Sequence, residues 1–269
     1  MSTEKNNVSG PLGGPAARRV IVTGAADGIG RAIALEFLRQ GAQVHGLDRN
    51  EEALQRLAEA VAIEPAVHGQ FTPHRVDLAD RGETDRVAGE LLDVLEGRCD
   101  ALINNAGISR VTPFMQVDDS TLDALLAVNF VAAFRLTRRL VPALQASTHG
   151  SVINIASELA LIGERGYSAY SATKGAIVAW SRALAVELAS ACIRVNAVCP
   201  GPVDTSLLGG DFAATGDAAA ARNHEISVVP LGRLGMPADI AKVVCFLASE
   251  AAAFVTGVAW VVDGGKTAA

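Results

Sequence analysis

Short β-branched runs alternate with longer helical periods along nearly the whole chain, and this alternation limits the fold more than any other feature. Residues 19–23 (RVIVT), 43–48 (QVHGLD), 101–104, 151–156 (SVINIA), 193–198 (IRVNAV) and 258–262 read as strands, and a further strand ends near Val76 and Asp77. Residues 30–40, 50–62, 80–95, 117–145, 168–190 and 237–249 carry helical patterns between them. Asn50 caps the second helix, Gly41 stops the first, and Pro237 opens the last at a first-turn position. Pro142 lies near the end of the long fourth helix. Strands that alternate with helices pair in parallel, with the connecting helices covering both faces. The sequence therefore predicts one α/β domain over residues 18–265, a doubly wound parallel sheet of about seven strands. Ligands of such sheets bind beyond the carboxyl ends of the strands.

Composition removes several alternatives. Half of the 269 residues are hydrophobic and 19% are charged, which excludes global disorder. The net charge is −6 and no Lys/Arg cluster offers a footprint for nucleic acid. Cys99, Cys192, Cys199 and Cys245 form neither a C-x-x-C pair nor a zinc-spaced cluster. No metal is expected, and free thiols suit a reducing, cytoplasmic setting. Residues 1–17 read as a flexible tail, polar and Gly/Pro-rich, without the apolar core of a signal peptide. Residues 243–262 are mostly apolar, but Glu250, Thr256 and Gly257 divide them into a helix, a turn and a strand, so no membrane association is expected.

The residues that follow the strands carry the chemistry. Gly24, Asp27, Gly28, Ile29 and Gly30 make a glycine loop between the first strand and first helix. Such a loop permits a tight turn, a close approach of backbone to a pyrophosphate, and seating of that pyrophosphate on the helix N-terminus. Its spacing, G-x-x-x-G-x-G, differs from the commoner G-x-G-x-x-G. Asp48 stands 18 residues beyond Gly30, at the end of the second strand. A carboxylate there accepts from ribose hydroxyls and repels a 2′-phosphate. Asp27 adds negative charge and Arg49 opposes it, so the balance favours NAD over NADP.

Tyr170 and Lys174 are four residues apart, on one helical face. An ammonium about 5 Å from a phenol favours the phenolate by roughly 3.3 kcal/mol at an effective dielectric of about 20. Such a pair makes a general base. Ser157 follows the fifth strand and Asn129 lies midway along the fourth helix. Tyr167 has Ser171, not lysine, four residues on, and is discounted as the base.

These residues, with others in order from Thr23 to Gly265, resemble the short-chain dehydrogenase/reductase family in its typical form. The shared pattern runs through the glycine loop, Asp77-Leu78, Asn104-Asn105-Ala106-Gly107, Asn129, Ser157, Tyr170 to Lys174, Pro200-Gly201 with Thr205, and Val262 to Gly265. Ser157 precedes Tyr170 by 13 residues, as in the family. Ala156 departs from the pattern, since many members carry a second serine there.

The resemblance implies a Rossmann-like fold, a nicotinamide cofactor and interconversion of a secondary alcohol with a ketone. It makes Tyr170 the general acid/base, Lys174 its partner and a ligand of the nicotinamide ribose, Ser157 the holder of the substrate oxygen, and Asn129 part of a proton relay. Asp77 and Leu78 would hold the adenine. Asn104, Ala106 and Gly107 would border the adenosine ribose. Pro200, Gly201, Val203 and Thr205 would border the nicotinamide. It also suggests a homotetramer packed through the fourth and fifth helices.

Residues 205–229, with Gly209, Gly210, Gly216 and an alanine run, read as a mobile lid over the substrate, with Leu207, Leu208 and Phe212 as apolar contacts. Arg110, Glu158 and Arg165 flank the motifs and hint at a hydroxylated or anionic substrate, and His224 is a further polar candidate. Two alternatives stay open: an NADPH-dependent 3-oxoacyl-carrier reductase, and a non-catalytic dinucleotide sensor or scaffold.

Overall fold

The computed structural model describes residues 17–269, so all but Ala17 of the tail expected over residues 1–17 lies outside the described residues. Seven strands form one sheet: β1 (Arg19–Thr23), β2 (Gln43–Asp48), β3 (Gln70–Arg75), β4 (Ala101–Asn104), β5 (Ser151–Ile155), β6 (Arg194–Pro200) and β7 (Ala259–Val262). Every pairing is parallel, in the order β3-β2-β1-β4-β5-β6-β7. The inner strands β1, β4 and β5 are buried along nearly their whole length, as a sheet covered on both faces requires. β3 is exposed, and its Pro73 sits on an edge strand where the missing donor costs least. The connections reverse direction between β1 and β4, which opens a crevice at their carboxyl ends.

One face carries α1 (Gly28–Arg39), α2 (Glu51–Ile63) and α9 (Pro237–Ala248), whose Phe37, Leu54 and Val244 share a core with Val20 and Ile103 of the sheet. The other carries α3 (Arg81–Val94) and α5 (Ala132–Gln145), with Leu91, Leu136 and Leu140 packed on Ile21 and Leu102. α6 (Ser168–Leu188) completes that side against β6.

Three stretches differ from the sequence reading, each for a local reason. α1 begins at Gly28 because the Asp27 carboxylate accepts from the Gly28 N–H at 2.7 Å and caps it. The long fourth helix is α4 (Asp119–Leu126) and α5 joined by one wide π-turn over Ala127–Val131. Such turns insert a residue into the helical ladder and often mark functional positions, and this one carries Asn129. The segment read from sequence as a lid, with no helix assigned to it, is two helices, α7 (Ser206–Ala214) and α8 (Ala218–Ser227). Thr205 caps α7 through the Leu208 N–H at 3.3 Å, and Asp217 caps α8 through the Ala220 N–H at 2.9 Å. The alanine run supplies helix propensity to α8, and Gly216 separates the two helices.

His45 on β2, only 7% exposed, meets His74 on β3 with Nδ1 and Nε2 3.0 Å apart. Burial, with the charges of a protonated His74 and of Arg19, pushes His45 down to about 4. Burial lowers His74 as well, with Glu90 opposing and Arg86 reinforcing. A free histidine titrates near 6.5, so the unfolded chain takes up protons first as pH falls. The stability of the neutral pair is full above that value and is lost as pH falls towards 4. His45→Gln is expected to flatten the acid limb of the urea-unfolding free energy, removing about 2–3 kcal/mol of its fall between pH 6.5 and 4. An acid limb unchanged in the variant would show that other groups drive it.

Candidate active site

A cleft of about 490 Å³ lies beyond the carboxyl ends of the central strands. Its first end is the loop before α1, where Gly24, Asp27, Gly28 and Ile29 line the wall. Gly28 adopts φ of +53°, and a Cβ on it would stand 3.3 Å from Thr205 Cγ2 across the opening. Gly30 lies beneath the cleft and does not line it. A Cβ there would come within 1.9 Å of the Gly24 carbonyl oxygen, so only glycine lets α1 sit this close to the end of β1. The first-turn N–H groups of α1 point their partial positive charge at this end. Cradle and donors together fit the pyrophosphate of a dinucleotide.

Asp48 and Arg49 line the same end. The Asp48 carboxylate is fixed by two backbone donors, Ala26 N–H to Oδ2 at 3.1 Å and Asn50 N–H to Oδ1 at 2.9 Å. Asp77 and Leu78 do not line the cleft. Asp77 accepts from the Ala79 N–H at 3.0 Å, and Leu78, 8% exposed, packs into the core beneath α3.

Asn104 is also outside the wall, and its side chain turns into the core. It donates to Thr137 Oγ1 at 2.9 Å and to Asn154 Oδ1 at 2.8 Å. The second asparagine of the pair, passed over in the sequence reading, is the one at the cleft. Asn105 Nδ2 donates to the Thr23 carbonyl at 2.9 Å and the Gly24 carbonyl at 3.3 Å, which ties the loop after β4 to the glycine loop. Thr23 Oγ1 returns the link by accepting from the N–H groups of Asn105 and Ala106 at 2.9 and 3.0 Å. Ala106 and Gly107 line the cleft beside them.

Ser157, Tyr170 and Lys174 converge at the middle of the cleft. The Ser157 hydroxyl oxygen accepts from the Leu159 N–H at 3.1 Å, which fixes its position and leaves its proton to donate. Lys174 is one helical turn beyond Tyr170, its Nζ 5.7 Å from the centre of the phenol ring. The ammonium donates to the Ile155 carbonyl at 2.9 Å, and burial pulls it down to about 8, so it stays mainly protonated at neutral pH. Desolvation pushes the Tyr170 phenol up to about 12; contact with Ser157 opposes the rise, and the charges of Asp211 and Glu158 add to it. Burial, not Lys174, sets the direction of the shift here.

Asn129 lies behind this group, 2% exposed, and does not line the cleft. Its Oδ1 accepts from the Ile108 N–H at 2.8 Å, while Nδ2 donates to the Ile108 carbonyl at 3.0 Å and Thr173 Oγ1 at 3.1 Å. A Cβ on Gly107 would stand 3.4 Å from both Asn129 Oδ1 and Lys174 Nζ, so the two meet around that glycine.

Pro200, Gly201, Val203 and Thr205 line the wall beyond β6. The far end is closed by α7 and α8, where Leu207, Leu208 and Phe212 supply apolar surface. Asp27 links the two ends by accepting from the Ser206 hydroxyl of α7. Arg110, Arg165 and His224 do not line the cleft. Glu158 does, together with residues the sequence reading missed: Asp211, Glu225 and Lys266, and Tyr167, discounted as the base. The Lys266 ammonium bridges Glu158, at 2.9 Å, and Glu225. Tyr167 donates from its phenol to Asp211 Oδ2 at 3.2 Å. These residues come from distant places in the chain, so no spacing rule joins them.

No helix among the described residues is long and apolar enough to cross a membrane, and no group of three His, Cys, Asp or Glu among them is arranged to hold a metal.

A family model described as enoyl-(acyl carrier protein) reductase matches residues 24–267. The chain is 34% identical to the 3-oxoacyl-[acyl-carrier-protein] reductase of Thermotoga maritima, over 91% of this chain and 96% of that one. It is 34% identical to the D-threitol dehydrogenase of Mycolicibacterium smegmatis, over 92% of each. A crystal structure from Beutenbergia cavernae, described as a candidate NAD(P)-dependent gluconate 5-dehydrogenase with NADP bound at low occupancy, superposes with a TM-score of 0.86 at 36% identity, covering 94% of this chain and 98% of that one. Matches of this extent, spanning the glycine loop and the Ser157, Tyr170 and Lys174 cluster, show that the chain belongs to the short-chain dehydrogenase/reductase family.

Proposed function

We propose that this NAD(P)-dependent oxidoreductase interconverts a secondary alcohol and a ketone, with Tyr170 as general acid/base and NAD as its preferred cofactor. The gathering of Ser157, Tyr170 and Lys174 in the cleft that begins at the α1 N-terminus carries the reading. A nicotinamide bound there would supply the hydride acceptor for oxidation and the hydride donor for reduction, and the oxygen's proton would pass to or from the protein. Tyr170 exchanges that proton, and Ser157 holds the oxygen by a hydrogen bond. Lys174 favours the phenolate and reaches the nicotinamide ribose. Asn129 orders the path behind Lys174 for the proton. Gly24, Gly28, Ile29 and the adjoining N–H groups hold the pyrophosphate, Asp48 the adenosine ribose, and Val203 and Thr205 the nicotinamide end. The segment 205–229 acts as a lid through α7 and α8.

The preference for NAD rests on Asp27 and Asp48 against Arg49 at the adenosine end. Two carboxylates near a 2′-phosphate of about −1.5 to −2 charges oppose it more than one guanidinium attracts it. Fluorescence titration is expected to give a Kd for NADH about tenfold below that for NADPH, with the gap narrowing in Asp48→Ser. Tighter NADPH binding would reverse the preference and favour the second reading, a 3-oxoacyl-carrier reductase like the Thermotoga relative.

Phe134, 40% exposed, and Val186, 80% exposed, lie on α5 and α6, and Phe134 stacks with Phe130 and Trp180. These exposed apolar residues support a homotetramer built through those helices, and the free cysteines suit the cytoplasm. A monomeric mass in light scattering would refute the assembly.

A further inference from the structure

The far end of the cleft is walled by carboxylates. Glu158 directly follows Ser157, and its side chain is 5% exposed. One of its oxygens accepts from the Lys266 ammonium; the other, Oε2, is buried without a hydrogen-bond partner. Glu225 on α8 shares the same ammonium. Asp211 on α7 accepts from Tyr167, and Glu164 adds a fourth acid to the wall. The cations of the cleft at this end are Lys266, already held by two carboxylates, and Lys174, committed to the Ile155 carbonyl. Arg110 acts on Asp211 from outside the wall.

These groups treat ligands unequally. A carboxylate, sulfonate or phosphate entering this end meets like charge, and reaches Lys266 only by displacing Glu158 or Glu225. A hydroxyl or ammonium meets acceptors in the carboxylates of Glu158, Asp211 and Glu225 that line this end. Leu207, Leu208 and Phe212 leave apolar surface for the carbon skeleton.

We infer that Glu158, Asp211 and Glu225 select a secondary alcohol that carries further hydrogen-bond donors and no negative charge, and that they reject hydroxy acids. Neutral polyols and amino alcohols share this chemistry. The inference rests on the alcohol-oxidoreductase reading. It replaces the anionic option, because Arg110 and Arg165 stand outside the cleft while the acids stand within it.

The test measures initial rates with NAD and with NADP on secondary alcohols of matched carbon skeleton, ending in a hydroxymethyl, an aminomethyl or a carboxylate group. A 3-hydroxyacyl thioester is included. The polyol or the amino alcohol is expected to exceed the hydroxy acid in kcat/KM by about tenfold or more. Added salt should raise KM for the amino alcohol, lower it for the acid and leave the polyol unchanged, which separates the two favoured kinds without any variant. Glu225→Gln should narrow the selectivity by about threefold, through a lower KM for the acid. A hydroxy acid or the thioester as best substrate would overturn the inference and leave the oxidoreductase reading intact. No turnover on any member with either cofactor, with NADH still bound, would overturn both.

Discussion

Tyr170→Phe is expected to lower turnover by about a thousandfold while NADH binding stays within about threefold of wild type. The change removes one oxygen at the centre of the cleft. It leaves the ring beside Lys174, the Ser157 hydroxyl fixed by Leu159, and the glycine loop untouched. The loss should therefore fall on kcat. The pH dependence gives a second readout. Desolvation holds the phenol up at about 12, so at neutral pH Tyr170 is a proton donor and suits ketone reduction. Alcohol oxidation needs the phenolate and should climb as pH rises above neutrality. Lys174, titrating near 8, loses its charge over the same range and limits that climb. The variant should lack the alkaline climb altogether. A variant that kept more than about a tenth of wild-type turnover would remove Tyr170 from the acid/base role.

The competition at Tyr170 also shows where sequence reasoning stops. The i, i+4 spacing placed Lys174 beside the phenol, and the structure does the same. The sign of the net effect depended on desolvation and on Asp211 and Glu158, whose charges arrive from α7 and from the turn after β5. Periodicity read the seven strands well because inner strands of a parallel sheet are mostly apolar runs, as in Val20 to Val22 and Val152 to Ile153. It failed at Asn129, because a π-turn changes side-chain direction without changing the apolar pattern around it. The family resemblance pointed to Asn104 rather than Asn105, since adjacent residues of a strand end face opposite ways and the pair looks alike in sequence. The acid wall was legible only at Glu158, next to a motif. Asp211, Glu225 and Lys266 reach it through the lid helices and the segment after β7, a tertiary arrangement with no local signature.

Gly30→Ala is expected to weaken NADH binding by about a hundredfold or more and to cost about 3 kcal/mol of stability. The added methyl would stand 1.9 Å from the Gly24 carbonyl oxygen and 2.4 Å from Asn105 Nδ2. Neither neighbour can yield cheaply. The first is backbone of the glycine loop, and the second is the amide that ties this loop to the loop after β4. Relief requires α1 to move away from the sheet, which withdraws its N-terminal donors from the proposed phosphate cradle and breaks the Asn105 bridge together. Gly89 provides the control, because it lies in the interior of α3 with nothing within 4 Å of a Cβ. Gly89→Ala should stabilise the protein by about 0.5–1 kcal/mol through helix propensity and leave NADH binding alone. Loss of binding in Gly30→Ala with a normal Gly89→Ala assigns the effect to the close contact. Wild-type affinity in Gly30→Ala would show that the loop has room the structure denies it, and the pyrophosphate cradle would have to be sought elsewhere in the cleft.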